Sequence, residues 1–174
     1  KISRGDPEIQ QRVLEVMGYL LSSVNEGKYF FVMGTAPNSG KSTLGELIKR
    51  LLGNEFVISR SPNQLARPFS LGDIQNKLLN LSLDLPHGKL PTITVSIIKQ
   101  ITGGDMISIA PKYEKIRDVR TNLRFLFGSN FPVTIPVEDN DDAFWNRMII
   151  VPFLYSLEKE REDPNILPKL LREK

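Results

Sequence analysis

Apolar positions along this chain switch between two periods, and the switches divide it into alternating helices and strands. Ile9, Val13, Val16, Met17, Leu20, Leu21 and Val24 recur at helical spacing. Asp6-Pro7-Glu8 in front of them reads as a helix start, with a capping acid, a proline at the first helical position and an acid in the first turn. Gly27 predicts the stop. Residues 29–33 are apolar throughout, as a strand buried on both faces should be. The next helix is expected at 42–52, with Leu44, Leu47, Ile48, Leu51 and Leu52 turned inward and Gly53 ending it. Further strands are expected at 55–59, 77–82, 106–110, 122–128 and 148–151, and helical pieces at 69–74, 92–101 and 143–147. Strands alternating with helices predict an α/β domain with a mainly parallel central sheet and an added N-terminal helix. The expected division is a helical segment at 1–28 packed on a core at 29–156, then a charged tail or linker at 157–174. A contact between subunits is the alternative use of the first helix.

Between the first strand and the next helix runs Gly-Thr-Ala-Pro-Asn-Ser-Gly-Lys-Ser-Thr at 34–43. A strand, a loop of small residues, Gly-Lys-Ser and then a helix is the order a phosphate-binding P-loop requires. The backbone of Ala36, Pro37, Asn38, Ser39 and Gly40 can curl around phosphates with its N–H groups. The positive end of the following helix points at them. Lys41 adds a full charge, the Ser42 hydroxyl can ligate Mg²⁺, and Thr43 completes the expected nucleotide-binding run. Thr35 stands where the usual pattern has its first glycine, and Gly34 sits one residue early. Pro37 and Asn38 both favour turns and can hold the loop's shape.

Composition narrows the chemistry. The chain has 174 residues, enough for one domain that buries a sizeable core without a metal or disulfide staple. It contains no Cys and a single His, His87, which removes thiolate catalysis, Cys-based zinc sites and His-dependent triads. No apolar run is long enough to predict a membrane span, and no leader peptide is visible, so the expected location is cytoplasmic. The chain opens on Lys1 instead of Met, which predicts a piece of a longer protein. A net charge of +3 permits nucleic-acid binding without demanding it.

In parallel sheets of this kind, ligands bind at the carboxyl ends of the strands. That rule selects Lys41, Asp84 and Asn130, each just after a predicted strand. Asp84 is suited to hold Mg²⁺, directly or through water; its bland alternative is a turn residue ahead of Pro86. Asn130 is suited to orient a water or touch the γ-phosphate, or else simply forms a turn. Arg147, ahead of the last strand, can neutralise transition-state charge, or else pairs with the acidic run at 138–142. Asp105 after two glycines is expected to fix the base of a hairpin. Lys112, Lys115, Arg117 and Arg120 surround Tyr113 on a projecting tip, against Glu114 and Asp118. Such a tip suits a single nucleic-acid strand through phosphate contacts and stacking, or is a solvated loop.

With these stretches in view, the chain resembles the superfamily 3 helicases, and in particular the helicase part of phage and plasmid primase–helicases. The resemblance rests on the loop at 34–43 and on Leu-Asn-Leu-Ser-Leu-Asp-Leu-Pro at 79–86, which is similar to the family's Walker B segment. It rests further on Lys-Gln-Ile-Thr-Gly-Gly-Asp at 99–105 running on to Lys112 and Tyr113, similar to its B′ motif. Leu-Phe-Gly-Ser-Asn at 126–130 is similar to motif C, and Asp-Ala-Phe-Trp-Asn-Arg at 142–147 runs into residues 148–153. Together they span residues 30–153. The resemblance implies an AAA+-like, three-layer P-loop NTPase fold. It implies a homo-oligomeric ring, usually a hexamer, that hydrolyses ATP with Mg²⁺ to move along single-stranded DNA and open duplex. It also implies missing primase or other replication domains. Lys41 and Ser42 would bind nucleotide and metal, Asp84 would be the Walker B acid, Asn130 the sensor and Arg147 the arginine finger. Lys112 and Lys115 would lie on the DNA-contacting hairpin.

Three functions compete on these grounds. The first is an ATP-dependent DNA helicase core serving replication of a phage or plasmid-like element. The second is a nucleotide-dependent DNA-binding or origin-binding module with little turnover, which Thr35 and the single Walker B acid would suit. The third is a small-molecule kinase, against which the B′ stretch and the charged tip count.

Overall fold

The computed structural model describes residues 5–22, 27–157 and 163–172. Its frame is a sheet of five parallel strands: β1 (Phe30–Thr35), β2 (Val57–Ile58), β3 (Leu79–Ser82), β6 (Arg124–Gly128) and β7 (Met148–Phe153). Their order across the sheet is β2-β3-β6-β1-β7, so the strand that feeds the glycine-rich loop lies between β6 and β7. The other two strands, β4 (Ile107–Ile109) and β5 (Arg117–Val119), pair antiparallel as a separate hairpin.

Side-chain alternation along β1 splits the core in two. Phe30 and Val32 face one side, with Phe125 and Phe127 of β6, and are covered by α4 (Thr92–Gly103) through Val95, Ile98 and Ile101. Phe31 and Met33 face the other side, with Leu79, Leu81, Leu126 and Val151. That side is covered by α1 (Pro7–Leu21) through Val16 and Leu20, and by α2 (Lys41–Leu52) through Leu44 and Ile48. The result is three layers, helix–sheet–helix, as two buried faces of a parallel sheet require.

Helix α1 starts where its cap predicts. The Asp6 carboxylate accepts from the N–H groups of Glu8 and Ile9 at 2.9 and 3.2 Å. It ends at Leu21, earlier than Gly27, and Val24 lies outside the described residues. Buried Arg124 ties it to the sheet: its guanidinium donates to the Leu20 carbonyl at 3.4 Å and lies 5.4 Å from the centre of the Tyr19 ring. Burial pushes the Arg124 guanidinium below its ordinary value.

Several strand limits differ from the apolar pattern for local reasons. The second strand, expected at 55–59, is only two residues long. A 3-10 turn takes Asn54–Phe56, and beyond Ile58 the Arg60 backbone is bonded by the buried Asn80 amide instead of a strand. The last strand runs past 151 to Phe153, because β7 is an edge strand, where Pro152 costs no ladder bond. The helical piece expected at 69–74 is a series of hydrogen-bonded turns ending in a 3-10 turn at Ile74–Asn76. Part of the charged tail forms α6 (Ile166–Arg172), which touches α2. Its residues 158–162 and 173–174 lie outside the described residues. The short helices α3 (Pro62–Leu65) and α5 (Asp142–Trp145) fill connections, α3 behind a capping box between Ser61 and Gln64. Among the described residues, no helix is long and apolar enough to cross a membrane.

Candidate functional site

The loop after β1 is set by three backbone positions. The Ala36 N–H donates to the Phe153 carbonyl at 2.8 Å, which carries β1–β7 pairing one step beyond Thr35. Asn38 then turns at φ 49°, and Gly40 caps α2 at φ 93°, where a side chain would be strained. The Ser39 hydroxyl closes the turn onto the Ala36 carbonyl at 2.7 Å. From the other side, the Leu157 N–H donates to the Asn38 carbonyl at 2.8 Å, so the segment following β7 braces the loop. Thr35, in place of the expected glycine, ends β1 with an exposed side chain.

Lys41, the first residue of α2, is only 8% exposed. Its ammonium donates to the Ala36 carbonyl, reaches the Ser39 hydroxyl at 3.4 Å, and donates to the Asn130 side-chain oxygen at 2.9 Å. Lys41 and Asn130 are 89 residues apart in sequence, and the β1–β6 pairing brings them together. Burial pushes the Lys41 ammonium below the ordinary lysine value. An arriving anion reverses that effect, because an opposite charge within a few ångströms favours the charged form. Asn130 is held out by the Ser129 hydroxyl, which donates to the Phe131 carbonyl at 2.6 Å and accepts from the Phe131 N–H at 3.1 Å.

Asp84 lies two residues beyond β3, exposed at the same carboxyl edge. Its neighbour Leu85 donates through its N–H to the Gly128 carbonyl at 2.8 Å, fastening the Asp84 loop to the end of β6. Ser42 is exposed in the first turn of α2. A hydroxyl and a carboxylate are hard oxygen donors of the kind Mg²⁺ takes, and Mg²⁺ keeps several waters and phosphate oxygens besides. Among the described residues there is no cluster of three or more His, Cys, Asp or Glu side chains, so a cation here would depend on such added oxygens.

Arg147 is not part of this group. It immediately precedes β7, and Met148 pairs with Phe30 at the start of β1. Arg147 therefore lies at the amino edge of the sheet, with the length of β1, about 17 Å at 3.3 Å per residue, between it and the loop. An arginine side chain cannot span that distance. Its guanidinium donates to the Ala143 carbonyl of α5 and lies near Gly103 at the end of α4. Asp141, one turn away, accepts from the Lys99 ammonium at 2.8 Å and from the Phe144 N–H at 2.9 Å. The Lys99 hydrogen bond first, then that of Phe144, hold the Asp141 carboxyl below the usual range, with the charge of Arg147 adding to them.

The hairpin lies at the amino edge too. Helix α4 leaves the carboxyl edge and closes on Gly104 at φ 79°, where the Asp105 N–H donates to the Gln100 carbonyl at 3.0 Å. β4 and β5 follow, with Lys112 and Lys115 exposed in the tip. Tyr113, 92% exposed, turns at φ 70° with the Lys112 ammonium 5.1 Å from its ring centre. Beside the start of the tip, Gly72 passes so close that an added Cβ would stand 2.9 Å from the Pro111 Cα. Ser129, within the Leu-Phe-Gly-Ser-Asn stretch, sets Asn130 in place, while Phe131 and His87, which the sequence pattern did not mark, lie beside the site as a ring pair. Phe131 follows Asn130 directly and His87 follows Asp84 by three, so closeness in sequence was the only signal for those two.

The model of a family of unknown function, DUF5906, matches residues 32–147. A protein of Acanthamoeba polyphaga mimivirus, provisionally named a helicase, is 26% identical over 166 residues, a match that takes in 90% of this chain and 17% of that one. The apo structure of the NrS-1 C-terminal region superposes with a TM-score of 0.67 at 17% identity, over 96% of this chain and 43% of that one. The crystal structure of JCV helicase with a bound acetamide compound gives 0.63 at 16% identity, over 96% and 46%. This chain thus spans less than half of each of these solved chains and a small part of the mimivirus protein. The likeness to solved structures establishes the fold.

Proposed function

The chain belongs to the DUF5906 family, and from that premise we propose that it is a superfamily 3 helicase-type domain, the ATPase core of a DNA helicase. The observation that carries the proposal is the meeting of Lys41 and Asn130 at the carboxyl edge, with the basic hairpin at the opposite edge. In this reading, the β- and γ-phosphates of ATP lie in the loop of residues 36–43. The Lys41 ammonium exchanges the Ala36 carbonyl and Asn130 for phosphate oxygens. Freed of Lys41, the Asn130 amide orients the attacking water. Ser42 and Asp84 would hold Mg²⁺, which supplies charge neutralisation between the phosphates.

Arg147 serves the site of a neighbouring subunit, since its own is out of reach. A homo-oligomeric ring, of six subunits by the family resemblance, then becomes a condition of turnover. Lys112 and Lys115 contact the phosphates of single-stranded DNA, and Tyr113 offers an exposed ring for a base. Replication domains on the same polypeptide, and unwinding of duplex DNA of a phage or plasmid-like element inside the cell, complete the reading.

The second reading, a nucleotide-dependent DNA-binding module with little turnover, is favoured by one observation. Asp84 is the sole acid in the loop after β3, so that loop itself offers no second carboxylate to accept the water's proton. Steady-state ATP hydrolysis with and without single-stranded DNA separates the two. The helicase reading expects turnover that DNA stimulates, and a folded Lys41→Ala chain that hydrolyses nothing measurable. ATP binding without turnover in either condition would favour the second reading. A folded Lys41→Ala chain with the parent's rate would refute the assignment of the loop.

A further inference from the structure

Two loops run side by side at the carboxyl edge. The loop after β3 carries Asp84, and the loop after β6 carries Asn130. They are joined by two backbone bonds and one from a side chain: the Leu85 N–H donates to the Gly128 carbonyl at 2.8 Å, the Leu90 N–H to the Thr134 carbonyl at 2.9 Å, and the Thr134 hydroxyl to the Gly88 carbonyl at 2.8 Å. Among these bonds the loops also meet through an edge-to-face pair of rings, His87 and Phe131, with centres 4.7 Å apart and planes at 88°. His87 is exposed, and Phe131 is 48% exposed. A half-exposed phenyl ring beside the chain's only histidine adds little to the core, which is complete behind it in Phe125 and Phe127.

The chain between the two loops has a particular content. From Pro91 it enters α4, passes through the β4–β5 hairpin, and returns along β6 to Asn130. The hairpin is therefore carried on a segment whose two ends meet in this clamp. Helix α4 is held rigidly against the sheet by Val95, Ile98 and Ile101, all fully buried, so a shift of its first turn is passed to its last. Asn130 is bonded to Lys41 and is next in sequence to Phe131. Whatever draws Lys41 from Asn130 changes the seat of Phe131, and through the ring contact that of His87, four residues before the Pro91 cap of α4.

Resting on the helicase reading above, we propose that the His87–Phe131 pair is the contact through which occupancy of the nucleotide site sets the position of the hairpin. Both are positioning residues; neither touches substrate. They link a loop that reads the nucleotide to a helix that carries the DNA contact. Coupling between two sites is typically about 5–150-fold in affinity, and the pair accounts for most of it here.

The test uses the full chain, a non-hydrolysable ATP analogue and a single-stranded oligonucleotide. The quantity read is the ratio of DNA Kd without and with the analogue. His87→Ala and Phe131→Ala should each bring that ratio down by at least about fivefold towards unity, while analogue affinity stays within about twofold. The double variant should be no worse than either single one, because both remove one contact. His87→Phe, which keeps an edge-to-face ring, should restore the ratio. Unchanged coupling in both alanine variants would overturn the proposal. So would loss of analogue binding in either, since the pair would then merely hold Asp84 and Asn130 in place. A parent chain that binds neither analogue nor DNA would sink the helicase reading itself, and this proposal with it. A parent that couples while its alanine variants couple equally sinks the proposal alone.

Discussion

Replacing Gly128 with alanine would press a methyl group into the backbone that carries Asp84. An added Cβ at this position stands 2.5 Å from the Leu83 carbonyl oxygen, 2.9 Å from its carbon and 3.0 Å from the Leu83 Cα. Ordinary contact begins near 3.4 Å, so the two strand ends must separate by about 0.9 Å. The atoms met are backbone, and no side-chain rotation relieves them. The Leu85 N–H bond to the Gly128 carbonyl, just beyond the clash, lengthens with the shift. Overpacking of this kind costs about 1–3 kcal/mol, which for a chain of this length lowers Tm by about 3–10 °C. The functional loss should be larger in proportion. A displacement near 1 Å between groups that act together costs about 100-fold in rate, and here Asp84 moves relative to Asn130. Gly45→Ala is the matched control. Its Cβ meets the Cδ atoms of Leu83 at 3.0 Å, a flexible end that can swing aside. It also removes a mid-helix glycine from α2, a gain of up to about 1 kcal/mol. Thermal unfolding and ATP turnover should be measured for both. A Gly128→Ala chain as stable and as active as the parent would refute the close approach of the two loops as a requirement of the site.

Two more predictions address the amino edge. Replacing Lys112 and Lys115 with alanine should weaken single-stranded DNA binding for every sequence tested and make the log–log salt slope shallower by about 0.7 for each phosphate no longer neutralised; an unchanged slope would remove the hairpin from the DNA path. Arg147→Ala should bind ATP yet turn it over about 10³–10⁵ times more slowly, the worth of an arginine finger. Mixing it with Lys41→Ala in a ring-forming chain should restore part of that activity where a good site meets a good finger. No recovery in mixed rings confirmed by mass would leave Arg147 with only the structural task of holding α5 through the Ala143 carbonyl.

The amino-acid pattern alone determined the local parts: a capped first helix, an apolar strand feeding a glycine-rich loop, the helix after it, and the order of strands and helices that follows. These are legible because propensity, capping and hydrophobic period act within a few residues. Candidate chemistry was legible for a related reason. Parallel strands place their following residues at one edge, so Lys41, Asp84 and Asn130 were marked by position before any pairing was known. The apolar pattern erred where a distant residue decided the matter. β2 stops at Ile58 because the Asn80 amide, 20 residues on from Arg60, takes the next backbone bonds. β7 passes through Pro152 because its outer side has no neighbour in the sheet among the described residues, and edge placement is a property of the assembled order. The tertiary structure also decided which candidates can act together. The β1–β6 register sets Asn130 against Lys41, while the β1–β7 register sends Arg147 to the far edge of the same sheet. A place before or after a predicted strand hinted at the edge, but not at which strands flank β1, because strand order is fixed by which apolar faces the helices can cover at once, and that is a property of the whole core.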